Sequence, residues 1–445
     1  MINDVKKFFI GKKITLMGLG LLGRGVGVAE FLASMGAKLT ITDLKTDKEL
    51  SPSLKRLKQF KNINYILGRH RLIDFKRADM VIKAAGVPLD SPFIEIAKKN
   101  NIPIEMDASL FARLAPAGVK IVGITGTRGK STVTHLIYHI LTSAGRRVFL
   151  GGNVKGLATL PLLKKVRAGD VVVLELDSWQ LQGFGEASLS PKIAVFTTFM
   201  RDHQNYYKNN MRRYFADKAN IYRHQKSTDI LIVGRDVTRR IKKDKFKSKL
   251  IVTPKSWPIG FQTKLLGQHN KDNAKLAILV ARQLAVPELK IKRGVASFPG
   301  VPGRLELIAT SKGIKYYNDT TATTPEASIV AWKSFPNHQK KIVLIGGGSD
   351  KNLDYTVFAR LAPKYLKWLI LFPGLATNKI IAQLPKSFKQ RVDFADNMSK
   401  ALTLAKRRAL SGDIVLLSPG AASFGAFNNE FDRGEQFIRK TKKYA

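Results

Sequence analysis

Gly123-Ile124-Thr125-Gly126-Thr127-Arg128-Gly129-Lys130-Ser131-Thr132 joins an apolar run to a helical pattern, and its reading decides the fold. Val119 to Ile124 reads as a buried strand. Thr132 to Ala144 reads as a helix, with Val133, Leu136, Ile137, Ile140 and Leu141 at helical spacing. A glycine-rich turn between them ends at a helix N-terminus, where unpaired N–H groups and the positive end of the helix dipole favour a polyphosphate. Lys130 is placed to neutralise outer phosphates and Ser131 to ligate Mg²⁺, so this is an ATP loop. Its first glycine, Gly123, stands one residue earlier than the strict Walker spacing requires.

Working outward from the loop, the 445 residues fit about three domains, and 44% hydrophobic content is ample for packed cores. Cysteine is absent, which excludes disulfides, thiolate metal sites and cysteine nucleophiles. Met1 to Gly11 lacks the apolar run of a signal peptide, and no later run approaches the ~20 apolar residues of a membrane span. A cytoplasmic location is expected. The 76 Lys plus Arg against 33 Asp plus Glu give a net charge of +43, a field that attracts polyanions. The cations are spread along the chain. Even the densest run, Arg235 to Lys249, reads as a solvated surface segment. Without zinc-finger spacing or an aromatic RNA-binding signature, no specific nucleic-acid partner is expected.

Upstream, a strand at Ile14 to Met17 runs into Gly18-Leu19-Gly20-Leu21-Leu22-Gly23 and a helix reaching about Met35; a second strand, Lys38 to Thr42, ends at Asp43. An acid about 20 residues beyond the glycines completes a dinucleotide-type fingerprint. Its physics is a tight turn that delivers N–H groups to a pyrophosphate, which a UDP-sugar also carries. Downstream, strands at Val171 to Leu176 and Ile193 to Thr197 and helices near Asn210 to His224 and Asn270 to Leu284 continue the ATP block. Pro299-Gly300-Val301-Pro302-Gly303 reads as a linker, followed by strands at Ile314 to Tyr317, Lys341 to Ile345, Trp368 to Phe372 and Ile414 to Leu417. The expected fold is α/β in three domains: Rossmann-like over 1–106, a P-loop ATPase-like parallel sheet over 107–301, and Rossmann-like over 302–445. Glu175 and Asp202-His203 follow strand ends in the ATP block, where an acid or imidazole can reach a metal.

Taken together these segments resemble the Mur ligase family across essentially the whole chain, most closely its D-glutamate-adding branch. The resemblance rests on Gly18 to Gly23, Ala85-Gly86-Val87-Pro88, the ATP loop, Gly152-Asn153, Glu175 to Leu181, Asp202-His203, Lys218, and His269-Asn270 with Asn273. Asn318 to Thr323, Gly346 to Lys351, Leu417 to Phe424, Phe427 and Arg433-Gly434 point to the branch.

The resemblance implies that UDP-N-acetylmuramoyl-L-alanine and D-glutamate are joined at the expense of ATP, with two Mg²⁺ ions and a carbamylated Lys218, by a monomer. It gives Lys130, His203 and Lys218 to catalysis. Gly126, Thr127, Gly129, Lys130, Ser131, Thr132, Asn270, Asn273, Arg304 and Asp319 go to ATP. Gly18, Gly20, Gly23, Asp43, Gly86, Asn153 and His203 go to the UDP-substrate, with Asp43 at its uracil end. Thr323, Lys351, Ser423 and Phe427 go to D-glutamate, and Ser131, Glu175, His203 and Lys218 to metal.

The chain departs from the family pattern at Arg128 (usually asparagine), Gly303 (usually histidine), Thr321 (usually lysine) and Lys45 (often arginine). A folylpolyglutamate or poly-glutamate synthetase would share the ATP loop but not the Gly18 to Gly23 turn or the Ser423 region. A degenerate basic binding protein is opposed by the intact Lys130, Glu175, His203 and Lys218, and a nicotinamide dehydrogenase leaves the ATP loop unexplained.

Overall fold

A computed structural model describes residues 2–21, 23–154, 156–423 and 425–444. Leu22 of the first glycine turn and Phe424 of the C-terminal segment lie outside the described residues.

The strands form three sheets. In the first, β1 (Lys13–Met17), β2 (Lys38–Asp43), β3 (Ile63–Leu67), β4 (Met80–Lys83) and β5 (Ile104–Glu105) are all parallel in the order β3-β2-β1-β4-β5. The second, also all parallel, holds β6 (Lys120–Thr125), β7 (Val148–Gly152), β8 (Val171–Glu175), β9 (Ile193–Phe196), β10 (Ile230–Val233) and β11 (Lys249–Val252) in the order β11-β10-β9-β6-β8-β7. The third runs β12-β13-β17-β14-β15-β16, from β12 (Glu306–Ser311), β13 (Ile314–Asn318), β14 (Ile342–Gly347), β15 (Leu366–Phe372), β16 (Val392–Phe394) and β17 (Ile414–Leu417).

The continuous apolar strand runs follow from sheets covered on both faces. In the third sheet Leu344, Leu369 and Leu416 pack into one buried cluster, while their strand neighbours Val343, Ile345, Ile370, Val415 and Leu417 pack into another. One strand departs from the expected alternation of strands and helices. Edge strand β12 pairs antiparallel with β13, and it is half-exposed, so it lacks the apolar run that marks the others.

The chain divides into two compact units, Met1–Gln262 with Asp272–Ala296, and Thr263–Lys271 with Ser297–Ala445. The first contains two of the sheets because their helices share a core: Leu16, Phe31 and Leu32 belong to the same buried cluster as Leu160, Leu174 and Phe196. Asp107 reinforces this join. Its buried carboxylate accepts from the amides of Thr159 (2.8 Å) and Leu160 (2.7 Å).

The ATP-loop helix spans Lys130–Ser143, close to its expected limits. The helix expected from Asn210 to His224 is shorter, Met211–Ala219. Asn220 ends it by turning its side-chain amide onto the Leu181 carbonyl at 3.1 Å, and turns with Ile221 N on Lys218 O follow. No helix among the described residues is long and apolar enough to cross a membrane.

Lys83, at the end of β4, lies 2% exposed under the 84–88 turn and donates to Val87 O at 2.9 Å. Burial pulls its pKa down to about 8, against the opposing pull of Asp177 and Asp217. The unfolded chain therefore holds more protons between about 8 and 10.5, and stability rises with pH across that window. Lys83→Met should unfold in urea at a higher midpoint than wild type at pH 7. The gain should be roughly 2 kcal/mol after loss of the hydrogen bond, and it should shrink as pH approaches 10. A difference that stays constant from pH 7 to 10 rules out a buried ammonium at this position.

Candidate active site

The ATP loop follows β6, the strand flanked by β8 and β9. Its glycines are required by close approach: a Cβ on Gly126 (φ 145°) would overlap the Thr197 hydroxyl, and one on Gly129 (φ 87°) the Asn273 side-chain oxygen. The apex is held from β9's end. Thr198 Oγ1 accepts from Arg128 N at 2.9 Å, and both threonine hydroxyls donate to the Arg128 carbonyl. Thr127 Oγ1 accepts from Met200 N and lies 3.3 Å from the Tyr214 hydroxyl. In the sequence the anchor shows only as the hydroxyl pair Thr197-Thr198, just past the strand end.

Two amines meet on one carbonyl. Lys130 Nζ donates to Gly126 O at 3.0 Å and to Thr127 O, and Lys218 Nζ donates to the same Gly126 O at 2.9 Å. Two ammonium groups on one oxygen repel, and Lys218 is the one that is 1% exposed. Burial first, then the charge of Lys130, pulls the Lys218 pKa well below its ordinary value. Lys218 reaches the loop because its helix is fixed through Asp217, whose carboxylate accepts from Gln182 Nε2 (2.8 Å) and the Tyr207 hydroxyl (2.9 Å).

His203 stands in the left-handed region, φ 53°, an uncommon backbone state for a non-glycine residue and one that gathers at functional sites. Its ring lies 4.7 Å from Trp179 and 5.9 Å from Tyr214, between centroids, and Lys218 Nζ is 4.9 Å from the same Tyr214 ring. Burial lowers the His203 pKa, helped by Lys218 and Lys130 and opposed by Asp202, so the imidazole is neutral, the form that ligates metal.

Glu175 sits opposite Ile124 in register, 4% exposed, with no side-chain hydrogen bond or ion pair among the described residues. A buried carboxylate without a partner suits a cation. Among the described residues no three histidines and acids converge, so such a cation would draw its other ligands from hydroxyl and phosphate oxygens.

The first glycine turn faces the crevice where the strand order of the first sheet reverses, between β1 and β4. Gly18 is packed so closely that a Cβ would lie 2.9 Å from that of Ala84, which brings the turn and the 84–88 loop together. Nothing within 4 Å demands glycine at Gly86. Asp43 is an internal brace. One carboxylate oxygen accepts from Leu19 N (2.9 Å) and Gly20 N (3.1 Å), the other from Lys45 N (2.9 Å). Gly23 caps the helix Arg24–Ser34, and Arg24 Nη2 donates to Asn153 Oδ1 at 2.9 Å. Asn153 N in turn donates to Glu175 O at 2.6 Å, so this asparagine adjoins the acid.

In the second unit, loops after β13, β14 and β17 are knit together. Ser349 and Ala422 exchange backbone hydrogen bonds, and Gly420 N donates to Ala322 O at 2.8 Å. Lys351 Nζ donates to Thr323 Oγ1 at 3.3 Å, pairing two of the four expected amino-acid contacts. Ser423 is buried, and Phe427 stacks edge-on against Phe372 at 4.9 Å, leaving 8% of its surface exposed. Asp319 accepts from Ser418 Oγ (2.8 Å) and Leu305 N (3.2 Å), and burial raises its pKa to about 7. Two family departures touch: Thr321 Oγ1 donates to Gly303 O at 3.0 Å. Asn270 Nδ2 donates to Leu266 O, and Arg304 N to Val301 O.

Family models match residues 12–105 as Mur ligase MurD-like N-terminal domain, 124–253 as Mur ligase middle domain and 303–420 as Mur ligase glutamate ligase domain. A Roseiflexus sp. (strain RS-1) protein named UDP-N-acetylmuramoylalanine–D-glutamate ligase is 36% identical over 98% of this chain and 99% of its own length. A Borreliella burgdorferi protein of the same name is 37% identical over 95% of this chain and 96% of its own. Among solved structures, UDP-N-acetylmuramate-alanine ligase MurC of Thermotoga maritima aligns with a TM-score of 0.63 at 20% identity, covering 98% of this chain and 100% of that one. MurF ligase of Thermotoga maritima, solved in complex with ADP, gives 0.59 at 17%, covering 99% and 97%. These two share the fold.

Because Asp43 holds two amides of the turn and the amide of Lys45, Asp43→Asn must set its NH₂ against at least one N–H. UDP should bind the variant about tenfold more weakly by calorimetry, with ADP affinity unchanged. Equal UDP affinity in the two proteins would show that the turn holds its shape without the brace.

Proposed function

The chain belongs to the Mur ligase family, and on that premise we propose that it joins D-glutamate to UDP-N-acetylmuramoyl-L-alanine with hydrolysis of ATP, a step of peptidoglycan precursor synthesis in the cytoplasm. What carries the reading is identity of 36–37% over 95–98% of the chain to relatives bearing that activity in their names. Residues 1–106 are read as the UDP-substrate domain, 107–301 as the ATP domain and 302–445 as the amino-acid domain.

A carboxylate is a poor electrophile, so the γ-phosphoryl group of ATP first passes to an oxygen of the alanyl carboxylate, releasing ADP and leaving an acyl phosphate. The amine of D-glutamate then attacks the acyl carbon, an amine proton is lost, and phosphate departs. The first step brings two anions together. Lys130, at the head of the Lys130–Ser143 helix, supplies charge to the transferring group, and the loop amides hold it in line. Ser131 and Glu175 suit one Mg²⁺, and His203 with a carbamylated Lys218 a second; bound there, Mg²⁺ would screen the phosphate charge. Asn273, beside Gly129, and Asn270, Arg304 and Asp319 of the second unit are read as nucleotide contacts. Lys351, Thr323, Ser423 and Phe427 receive the amino acid.

The uncharged amine of Lys218 is the form that adds to CO₂, giving a carbamate and releasing a proton. An ammonium would repel Mg²⁺, whereas the carbamate offers two hard oxygens.

Phosphate release from ATP in the presence of UDP-N-acetylmuramoyl-L-alanine tests the reading. Turnover should require D-glutamate and fail with L-glutamate or folate substrates, and selectivity for another amino acid overturns it. Lys130→Ala should lose at least roughly 10²-fold in turnover with its melting temperature unchanged; retention of a tenth of the activity would count against the loop's role. Lys218→Ala should be nearly inactive and recover in part with added formate or acetate. Near-normal activity of Lys218→Ala in carbonate-depleted buffer excludes the carbamate.

A further inference from the structure

Arg433 is fully buried, and among the described residues no carboxylate hydrogen-bonds to it. Its guanidinium spends its donors on two loops instead. Nε donates to Thr320 Oγ1 (3.2 Å), Nη2 to Thr320 O (2.9 Å) and Nη1 to Ala421 O (3.4 Å). A buried cation hydrogen-bonded to neutral oxygens is costly to a fold, and burial, opposed by the charge of Glu430, draws its pKa down to about 10, which leaves it charged at pH 7. A planar fork reaching two carbonyls and a hydroxyl at fixed angles is what an arginine supplies and a lysine cannot.

Thr320 is gripped from every side. Its hydroxyl donates to Glu430 O at 2.7 Å and its amide to Asn318 Oδ1 at 3.2 Å. A Cβ on Gly434 would come within 2.7 Å of its methyl, and one on Gly303 within 3.1 Å, so both glycines leave room for it. The residue after it, Thr321, is tied to Gly303 O. Asp319, just before it, has separate anchors: its amide donates to Leu417 O, and its carboxylate accepts from Ser418 Oγ and Leu305 N.

The clamp therefore governs the chain beyond Asp319, toward Thr323, and fixes it against the loop that carries Ala421 and Ser423. We infer that Arg433 and Thr320 are positioning residues that set the width of the amino-acid pocket, and so the affinity for an acidic amino acid, while leaving the nucleotide contact at Asp319 in place. The inference rests on the proposed assignment of Thr323, Lys351 and Ser423 to that substrate.

Steady-state kinetics of the full chain test it, with Thr320→Val, which keeps the shape and removes the hydroxyl, and Arg433→Lys. The KM for D-glutamate should rise about tenfold or more in each. The KM for ATP and for UDP-N-acetylmuramoyl-L-alanine should stay within about twofold and kcat within about threefold. The double variant should be less impaired than the two singles added together, because both cut the bond from Arg433 Nε to Thr320 Oγ1. A purely structural role predicts lower kcat or melting temperature with the D-glutamate KM unmoved, and that result overturns the inference. Should Arg433→Lys fail to fold, Thr320→Val decides alone. A wild type that turns over only with another amino acid removes the proposed function, and the same KM comparison then applies to that amino acid.

Discussion

Lys130 and Lys218 share the carbonyl oxygen of Gly126, and much of the central sheet is arranged to make that meeting possible. The carbonyl points at both amines because the loop is folded onto Thr197 and Thr198 on one side and Asn273 on the other, with no room for side chains at Gly126 or Gly129. Lys218 arrives from the helix Met211–Ala219, which Asp217 ties to Gln182 and Tyr207 and Asn220 ties to Leu181. Two ammonium groups at one acceptor repel, and the repulsion falls on the more buried Lys218. Its pKa is pulled well below the ordinary lysine value by burial first and then by the charge of Lys130.

The ATP loop, the glycine turn of the first sheet and most parallel strands were legible because each is written in consecutive residues, with a period or a glycine spacing that local physics explains. Asp43 was legible as an acid at the right distance, and the resemblance sends it to the uracil. In the structure its oxygens hold Leu19, Gly20 and Lys45, a role that depends on β1 and β2 lying side by side. Lys218 had no local mark among so many lysines, since its state comes from burial by helices that sequence places elsewhere. Thr320 and Arg433 lie 113 positions apart, and no spacing rule joins them. Edge strand β12 escaped notice because half-exposed strands carry little hydrophobic signal.

The charge of the chain also has an internal side. Several of the 33 acids are consumed inside the fold as acceptors for backbone amides: Asp43 for the glycine turn, Asp107 for the Thr159–Leu160 segment, Asp319 for Leu305. The formal net charge of +43 counts these acids in full, so fewer carboxylates than the 33 lie on the surface among the lysines and arginines. Arg433 is the inverse case, a cation consumed inside by neutral oxygens.

The brace at Asp43 bears on how the first glycine turn meets a ligand. A loop of glycines is entropically expensive to order, and a turn that ordered itself only around a pyrophosphate would subtract that loss from every binding event. Here the amides of Leu19 and Gly20 are already fixed by a carboxylate from the neighbouring strand. The disorder is given up once, when β1 and β2 pair, and the folding free energy of the first sheet absorbs it. In the proposed role the turn would then be a preorganised receptor, whose affinity is limited by the fit of its remaining donors rather than by the cost of assembling them.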